Sequence, residues 1–384
     1  MSRLAKLPPY LFSAIDAAKA RALADGVDVV DLGIGDPDRP TPARLVAAMA
    51  ETVADPRWHR YPSGRGTAEL RHAIATWLRR RYGVAADPDT EILVLIGSKE
   101  GLAHLPLARV QEGDNVLVPD LGYPVYGEAT ILAGGEPRTF ALRRADDFLP
   151  DPDEIAALCD ERTRLIYLNY PNNPTGAVAT ADFWRRIAAV TAERGVVLLN
   201  DAAYQEVVPD GRRPATLLET LPPAQAPVIE LHSLSKMFNM TGWRLAFAVG
   251  NRQVVGDLAR VKESVDSGAF GAIQHVAALA LGEEFEVMLA EVQAVYPGRR
   301  TEILSALADA GFRVFDGAAT FYVWARTPDG ESSLDFCARA LREIGVVVTP
   351  GVGFGPGGEG WFRISLTASD ADIARGAERL RRWH

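Results

Sequence analysis

"PVIELHSLSK", Pro227 to Lys236, is an apolar run that closes on two hydroxyl residues and a lysine. It does not stand alone. "EILVLIG" (91–97), "NVLVPD" (115–120), "RLIYLNY" (164–170), "GVVLLND" (195–201) and "RLAFAVG" (244–250) have the same character. Several are separated by stretches of helical period, such as "ADFWRRIAAVTAERG" (181–195). Strands that are apolar on both faces need helices above and below, which predicts a large, doubly wound, mostly parallel α/β domain. From about residue 285 shorter strand and helix patterns follow one another: "FRVF", "TFYVWAR", "SLDFCARALREIG", "VVVTP", "WFRISLT" and "DADIARGAERLRRWH". They predict a smaller α+β domain at 285–384 after the large domain at 46–284. Residues 1–45, with a helix near Phe12–Ala24, predict an arm that joins the small domain.

Composition bounds the function. Of 384 residues 48% are hydrophobic and 24% charged, enough apolar material for a full core, and the net charge is −9. That sign argues against a nucleic-acid surface or a polybasic membrane contact. Cys159 and Cys337 form no CxxC pair, so neither a disulfide framework nor a zinc site is expected, and the six histidines show no metal spacing. No run of about 18 apolar residues suggests a membrane span, and no signal peptide is visible, so the expectation is a cytoplasmic protein.

In an open α/β sheet ligands bind beyond the carboxyl ends of the strands, so the residues that end each run carry the functional reading. "GSKEG" (97–101) opens a helix and offers Ser98 and backbone N–H groups to an anion, or Ser98 is simply a helix cap. "PNNPTG" (171–176) reads equally as a proline-rich turn. Asp201 ends its run as a cap or as a functional acid. Lys236 is one of only five lysines in a chain whose other basic residues are arginine. It reads as a solvated amine, or as a Schiff-base amine activated by burial and by positive charge from Arg244.

Taken in order, "NNPTG" (172–176), "DAAY" (201–204), "SLSK" (233–236) with Arg244, and "FRISL" (362–366) resemble the class I/II, fold-type I aminotransferases that use pyridoxal 5′-phosphate. The resemblance covers nearly the whole chain. "LGIGDPDRPTP" (32–42), "YPSGRGTAELRHAIA" (61–75) and "VLVPDLGYPVY" (116–126) are similar above all to the LL-diaminopimelate aminotransferases, which implies a place in lysine biosynthesis. It also implies that Lys236 forms the Schiff base and moves the substrate's α-proton, that Asp201 pairs with the pyridine nitrogen, and that Tyr204 and Asn173 bond the ring's 3-oxygen. Tyr123 stacks on the ring. Ser98, Ser233, Ser235 and Arg244 hold the phosphate with backbone near Lys99. Arg363 takes the substrate carboxylate beside Gly35 and Asn173. Lys99 serves either a distal substrate carboxylate or the phosphate. Tyr61 reaches the phosphate of a neighbouring subunit, so a homodimer with shared sites is expected, the alternative being a tyrosine packed in its own subunit. The implied reaction moves an amine from an amino acid to a 2-oxo acid such as 2-oxoglutarate. The donor is LL-diaminopimelate or a similar dicarboxylic amino acid; an aspartate, alanine or aromatic aminotransferase, a β-lyase of the same fold, or a regulator that binds the cofactor without turnover would carry similar residues. "GFGPGG" (353–358) fits a dinucleotide fingerprint, but a strand follows it rather than a helix, so a loop beside the site is expected. His232 is expected to serve packing.

Overall fold

The computed structural model describes residues 2–8, 11–192, 194–209 and 211–383. Its large sheet contains β2 (Ile92–Leu95), β3 (Asn115–Pro119), β4 (Glu136–Phe140), β5 (Thr163–Leu168), β6 (Val197–Asp201), β7 (Val228–Ser233) and β8 (Ala246–Gly250), in the order β2-β8-β7-β6-β5-β3-β4. Five neighbours run parallel, from β7 to β4, and only β8 opposes the strands on either side of it. Each apolar run quoted above became one of these strands.

The sheet is covered on both faces, and single strands show why their sequence is apolar throughout. Leu198 packs into the core on one face; Val197 and Leu199, its neighbours, pack into the core on the other. Period-two alternation therefore points every second side chain into a different core, leaving no solvent face for a polar residue. The first core takes Trp77 and Ile74 from the helix Ala68–Tyr82 and Trp184 from the helix Ala181–Ala192. The second takes Leu102 and Leu105 from the helix Ser98–Arg109. Thr67 caps the first of these helices by accepting the Leu70 N–H, and Gly83 ends it with a left-handed φ of 67°.

A second, antiparallel sheet joins β9 (Val314–Phe315), β10 (Tyr322–Arg326), β12 (Thr349–Pro350) and β13 (Trp361–Ser365) in the order β12-β13-β10-β9. The N-terminal segment packs beside it: β1 (Val30–Asp31) pairs in parallel with β11 (Val346–Val347) as a separate two-stranded sheet, and Val30 and Leu32 sit in the same apolar core as Ile364 and Phe321. Tyr204, three residues past β6, packs into that core too, so the two sheets meet at the end of β6.

Candidate active site

Strand direction gathers the polar residues. β2, β3, β5, β6 and β7 end at one edge of the large sheet, and β8 begins there because it runs the other way. A cavity of about 400 Å³ opens at that edge, lined by Ser98 after β2, Tyr123 after β3, Asn169 and Asn173 after β5, Asp201 at the end of β6, Ser233 at the end of β7, and Arg244 ahead of β8. The N-terminal segment and the small sheet close it with Gly35, Tyr322 and Arg363. Ser235, Lys236, Lys99 and Tyr204 line it as well. Every sequence-predicted site residue is thus brought to one cavity except Tyr61, which projects from the surface at 90% exposure. Packing inside its own chain is therefore not its role.

The amine of Lys236 donates to the Gly35 carbonyl at 3.0 Å. Burial, reinforced by the positive charges of Arg363 and Arg244 and opposed by Asp36, brings its pKa down from 10.5 to about 8. The amine is therefore a desolvated group that gives up its proton closer to neutral pH than a solvated lysine does. Asp201 moves the other way: burial pushes its carboxyl from 3.8 up to about 6, against hydrogen bonds from Tyr126 and the Ala203 N–H and the nearby His232. The Tyr126 hydroxyl donates to Asp201 Oδ2 at 2.9 Å and the Ala203 N–H to Oδ1 at 3.3 Å. Asn169 fixes the strand end from behind, donating to the Asp201 carbonyl at 2.6 Å.

At one end of the cavity Gly97, the cap residue of the helix Ser98–Arg109, has φ 79°, and a Cβ there would come within 2.2 Å of the Arg244 guanidinium. Its positive φ favours glycine, and the missing Cβ lets the guanidinium come close to the backbone at the helix start. Arg244 itself holds a left-handed φ of 57°, uncommon for a residue other than glycine, and donates to the Thr241 carbonyl at 2.7 Å. The hydroxyls of Ser98, Ser233 and Ser235 line the same cavity.

At the other end Arg363, buried at 4% exposure, donates to Asn173 Oδ1 at 2.9 Å and to the Gly33 carbonyl at 2.8 Å. Its guanidinium lies 4.0 Å over the Tyr322 ring and 4.8 Å from Phe354. Its Nε is buried and has no hydrogen-bond partner among the described residues. The Tyr322 and Tyr204 hydroxyls share a hydrogen bond of 2.9 Å, and a Cβ on Gly35 would collide with the Tyr322 hydroxyl. Lys99 stands 5.3 Å over the Tyr123 ring.

The charge count shows what kind of ligand the cavity suits. Lys99, Lys236, Arg244 and Arg363 line the cavity, and among the described residues Asp201 is the only carboxylate that does, with Asp36 acting on Lys236 from outside the lining. None of the four cations forms an ion pair with a carboxylate among the described residues. Arg363 is buried and Lys236 part-buried, whereas Lys99 and Arg244 are exposed; cations drawn out of water are costly unless an anionic ligand offsets them, and the exposed pair adds positive charge at the same cavity. A phosphate against Arg244 and the Ser98 helix, together with a carboxylate against Arg363, fits that surplus. So does a pyridine nitrogen at Asp201, the one acid. The donors present therefore suit pyridoxal 5′-phosphate.

Comparison with known proteins gives the same answer independently. Residues 27–380 match the family model described as aminotransferase class I and II. The chain belongs to this family. Class I and II aminotransferases depend on pyridoxal 5′-phosphate. The LL-diaminopimelate aminotransferase of Syntrophobacter fumaroxidans is 47% identical over 380 residues, covering 99% of this chain and 97% of its own length. That of Aquifex aeolicus is 45% identical over 382 residues, with 99% and 97% covered. Among solved structures, a Thermus thermophilus aspartate aminotransferase variant superposes with a TM-score of 0.92 at 27% identity, covering 100% of this chain and 98% of its own. The probable N-succinyldiaminopimelate aminotransferase of the same species gives 0.88 at 36% identity, with 96% and 99% covered.

Several residues of this aminotransferase's cavity lie outside the sequence reading: Tyr126, Asn169, Ala203, Thr241 and Tyr322. Asn169 was within reach, since it ends the run "RLIYLNY". Tyr126 sits in the first turn of the helix Val125–Ala133 and Tyr322 on β10, where an aromatic reads as ordinary core. The "GFGPGG" segment forms two short 3₁₀ turns, Gly351–Phe354 and Pro356–Gly358, and its Phe354 meets Arg363. His232 stacks on Phe247 at 5.1 Å and approaches Glu230 at 2.8 Å, outside the cavity lining. Among the described residues no helix is long and apolar enough to cross a membrane.

Proposed function

We propose that the chain is an LL-diaminopimelate aminotransferase that passes the amine to a 2-oxo acid, 2-oxoglutarate being the expected acceptor, in lysine biosynthesis. The observation that carries this reading is the surplus of unpaired cations in one cavity. Arg244 answers the cofactor phosphate and Arg363 the substrate's α-carboxylate. Lys99 remains for a second, distal carboxylate, which LL-diaminopimelate has and alanine lacks. The names of the relatives at 47% and 45% identity support the same substrate.

In this reading the bound cofactor supplies an electrophilic carbon and an electron-withdrawing ring. The chain's own residues do the rest. Lys236, with its pKa brought down to about 8, would hold the cofactor and move the substrate's α-proton as general base and acid. Asp201, held by Tyr126, keeps the ring nitrogen protonated. Tyr204, aligned by Tyr322, and the amide N–H of Asn173, whose oxygen is taken by Arg363, donate to the ring oxygen. Tyr123 covers one ring face. Ser98, Ser233, Ser235, Arg244 and the N–H groups at Lys99 hold the phosphate. Arg363 offers a flat two-pronged donor to the α-carboxylate, with Gly35 keeping the approach open. Residues 46–284 form the cofactor domain, and 1–45 with 285–384 form the domain that closes over it. The exposed Tyr61 serves the phosphate of a second copy, making the working unit a homodimer.

A donor panel tests the substrate. With 2-oxoglutarate as acceptor, LL-diaminopimelate should give the highest kcat/KM among LL-diaminopimelate, aspartate, alanine and an aromatic amino acid. Lys99→Met should lower that value at least tenfold for LL-diaminopimelate and less than twofold for alanine. A lead for any other donor would remove the substrate assignment. Ammonia and pyruvate in place of a new amino acid would make the protein a β-lyase.

A further inference from the structure

Lys262 lies on the helix Arg252–Val265, away from the cavity lining, and its side chain is fully buried. An ammonium carries three donors and no acceptor. Lys262 Nζ meets three oxygens: Glu100 Oε1 and Oε2, both at 3.0 Å, and Asp266 Oδ1 at 2.8 Å. Glu100, His104 and Asp266 bring potential ligand atoms within 4.8 Å of one another, a grouping that can hold a metal ion. Here the lysine's own ammonium bonds to both carboxylates. Burying one cation between two anions costs desolvation that apolar packing would avoid, so a purely structural role is poorly served by this choice.

What each carboxylate holds besides the lysine shows what the trio positions. Glu100 Oε2 accepts the Ile96 N–H at 2.5 Å. That bond fixes the turn Ile96–Gly97–Ser98, whose glycine faces Arg244 and whose serine lines the cavity. Asp266 Oδ1 accepts the Gly268 N–H at 2.7 Å. Gly268, with φ 92°, lies so close to the chain at Ser63 that a Cβ would stand 2.8 Å from the Ser63 carbonyl. Ser63 is two positions beyond the exposed Tyr61. One buried cation thus spans the gap between the cis phosphate turn and the segment that presents Tyr61.

We propose that Lys262 is a positioning residue that fixes the separation of the phosphate turn at Ser98 from the segment bearing Tyr61, so that both are set for a cofactor phosphate. This rests on the reading of Ser98 and Tyr61 as phosphate ligands. Lys262→Met removes the cation; Lys262→Arg keeps the charge but replaces a compact three-donor head with a flat fork. The readout is retention of pyridoxal 5′-phosphate and of pyridoxal, which has the same ring and no phosphate, by equilibrium dialysis of the holoenzyme. Wild type should retain the phosphorylated form far better. Lys262→Met should weaken its retention at least tenfold and pyridoxal's less than twofold, and Lys262→Arg should fall on the same side. Asp266→Asn, which leaves the Lys262–Glu100 pair intact, should give a phosphate-selective loss of about threefold and decides the matter should the lysine variants fail to fold. Equal losses for both compounds, or none, would overturn the proposal. A wild type that does not discriminate between the two compounds would instead overturn the phosphate reading beneath it.

Discussion

Asp201→Asn should make the cofactor-free protein more stable and the enzyme inactive. The carboxyl is buried, and burial raises its pKa from 3.8 to about 6. An acid whose folded pKa is raised favours the fold while protonated and loses that contribution as pH rises through the folded value. The shift corresponds to about 3 kcal/mol of strain at pH 7.5, and about 1.5 kcal/mol at pH 5, where the unfolded chain is already ionised and the folded chain mostly is not. Asparagine has the same shape, can still accept from Tyr126, and carries no charge to desolvate. Urea unfolding of wild type and variant, without cofactor and at equal protomer concentration, should therefore show the variant ahead by up to about 3 kcal/mol at pH 7.5, with the gap halved at pH 5. With cofactor the order reverses in function, because an amide cannot keep the ring nitrogen protonated, and turnover should fall by about a thousandfold or more. A variant no more stable than wild type at pH 7.5, or a gap that does not narrow on acidification, would refute the claim that Asp201 is held ready at a cost in stability.

Two further outcomes follow from the geometry. Arg363→Lys replaces a two-pronged donor with a point charge, so KM for amino donors should rise about 10- to 100-fold with cofactor retention unchanged; a KM within twofold of wild type contradicts the carboxylate role. The rate at which cofactor-free protein captures added pyridoxal 5′-phosphate should climb about tenfold per pH unit up to the Lys236 pKa of about 8 and then level off. A rate still climbing between pH 8.5 and 10 would mean an ordinary lysine at the attacking position.

The sequence reading picked residues that share one cavity because strand ends announce themselves. Asp201, Ser233 and Arg244 each stand where an apolar run meets a polar residue, and a parallel sheet must gather such residues at one edge. What it could not supply was direction and distance. "RLAFAVG" is as apolar as its neighbours, and nothing in it states that β8 runs against them, yet that reversal is what delivers Arg244 to the same edge as Ser98. Tyr126 and Tyr322 were illegible for another reason. A tyrosine on a helix or strand reads as core, and only the fold shows that one hydroxyl lands on Asp201 and the other on Tyr204. Lys262 offered only half a signal: Asp266 stands four positions on, an ordinary helix pairing, while its other carboxylate partner Glu100 lies 162 positions away in the chain.

The central claim is that the amine of Lys236 is the point of cofactor attachment. Borohydride reduction of the holoenzyme followed by peptide mass spectrometry tests it directly. The account predicts the pyridoxyl phosphate mass on the peptide containing Lys236 and on no other lysine. Label on Lys99 or Lys262, or on none of the five lysines, would contradict it.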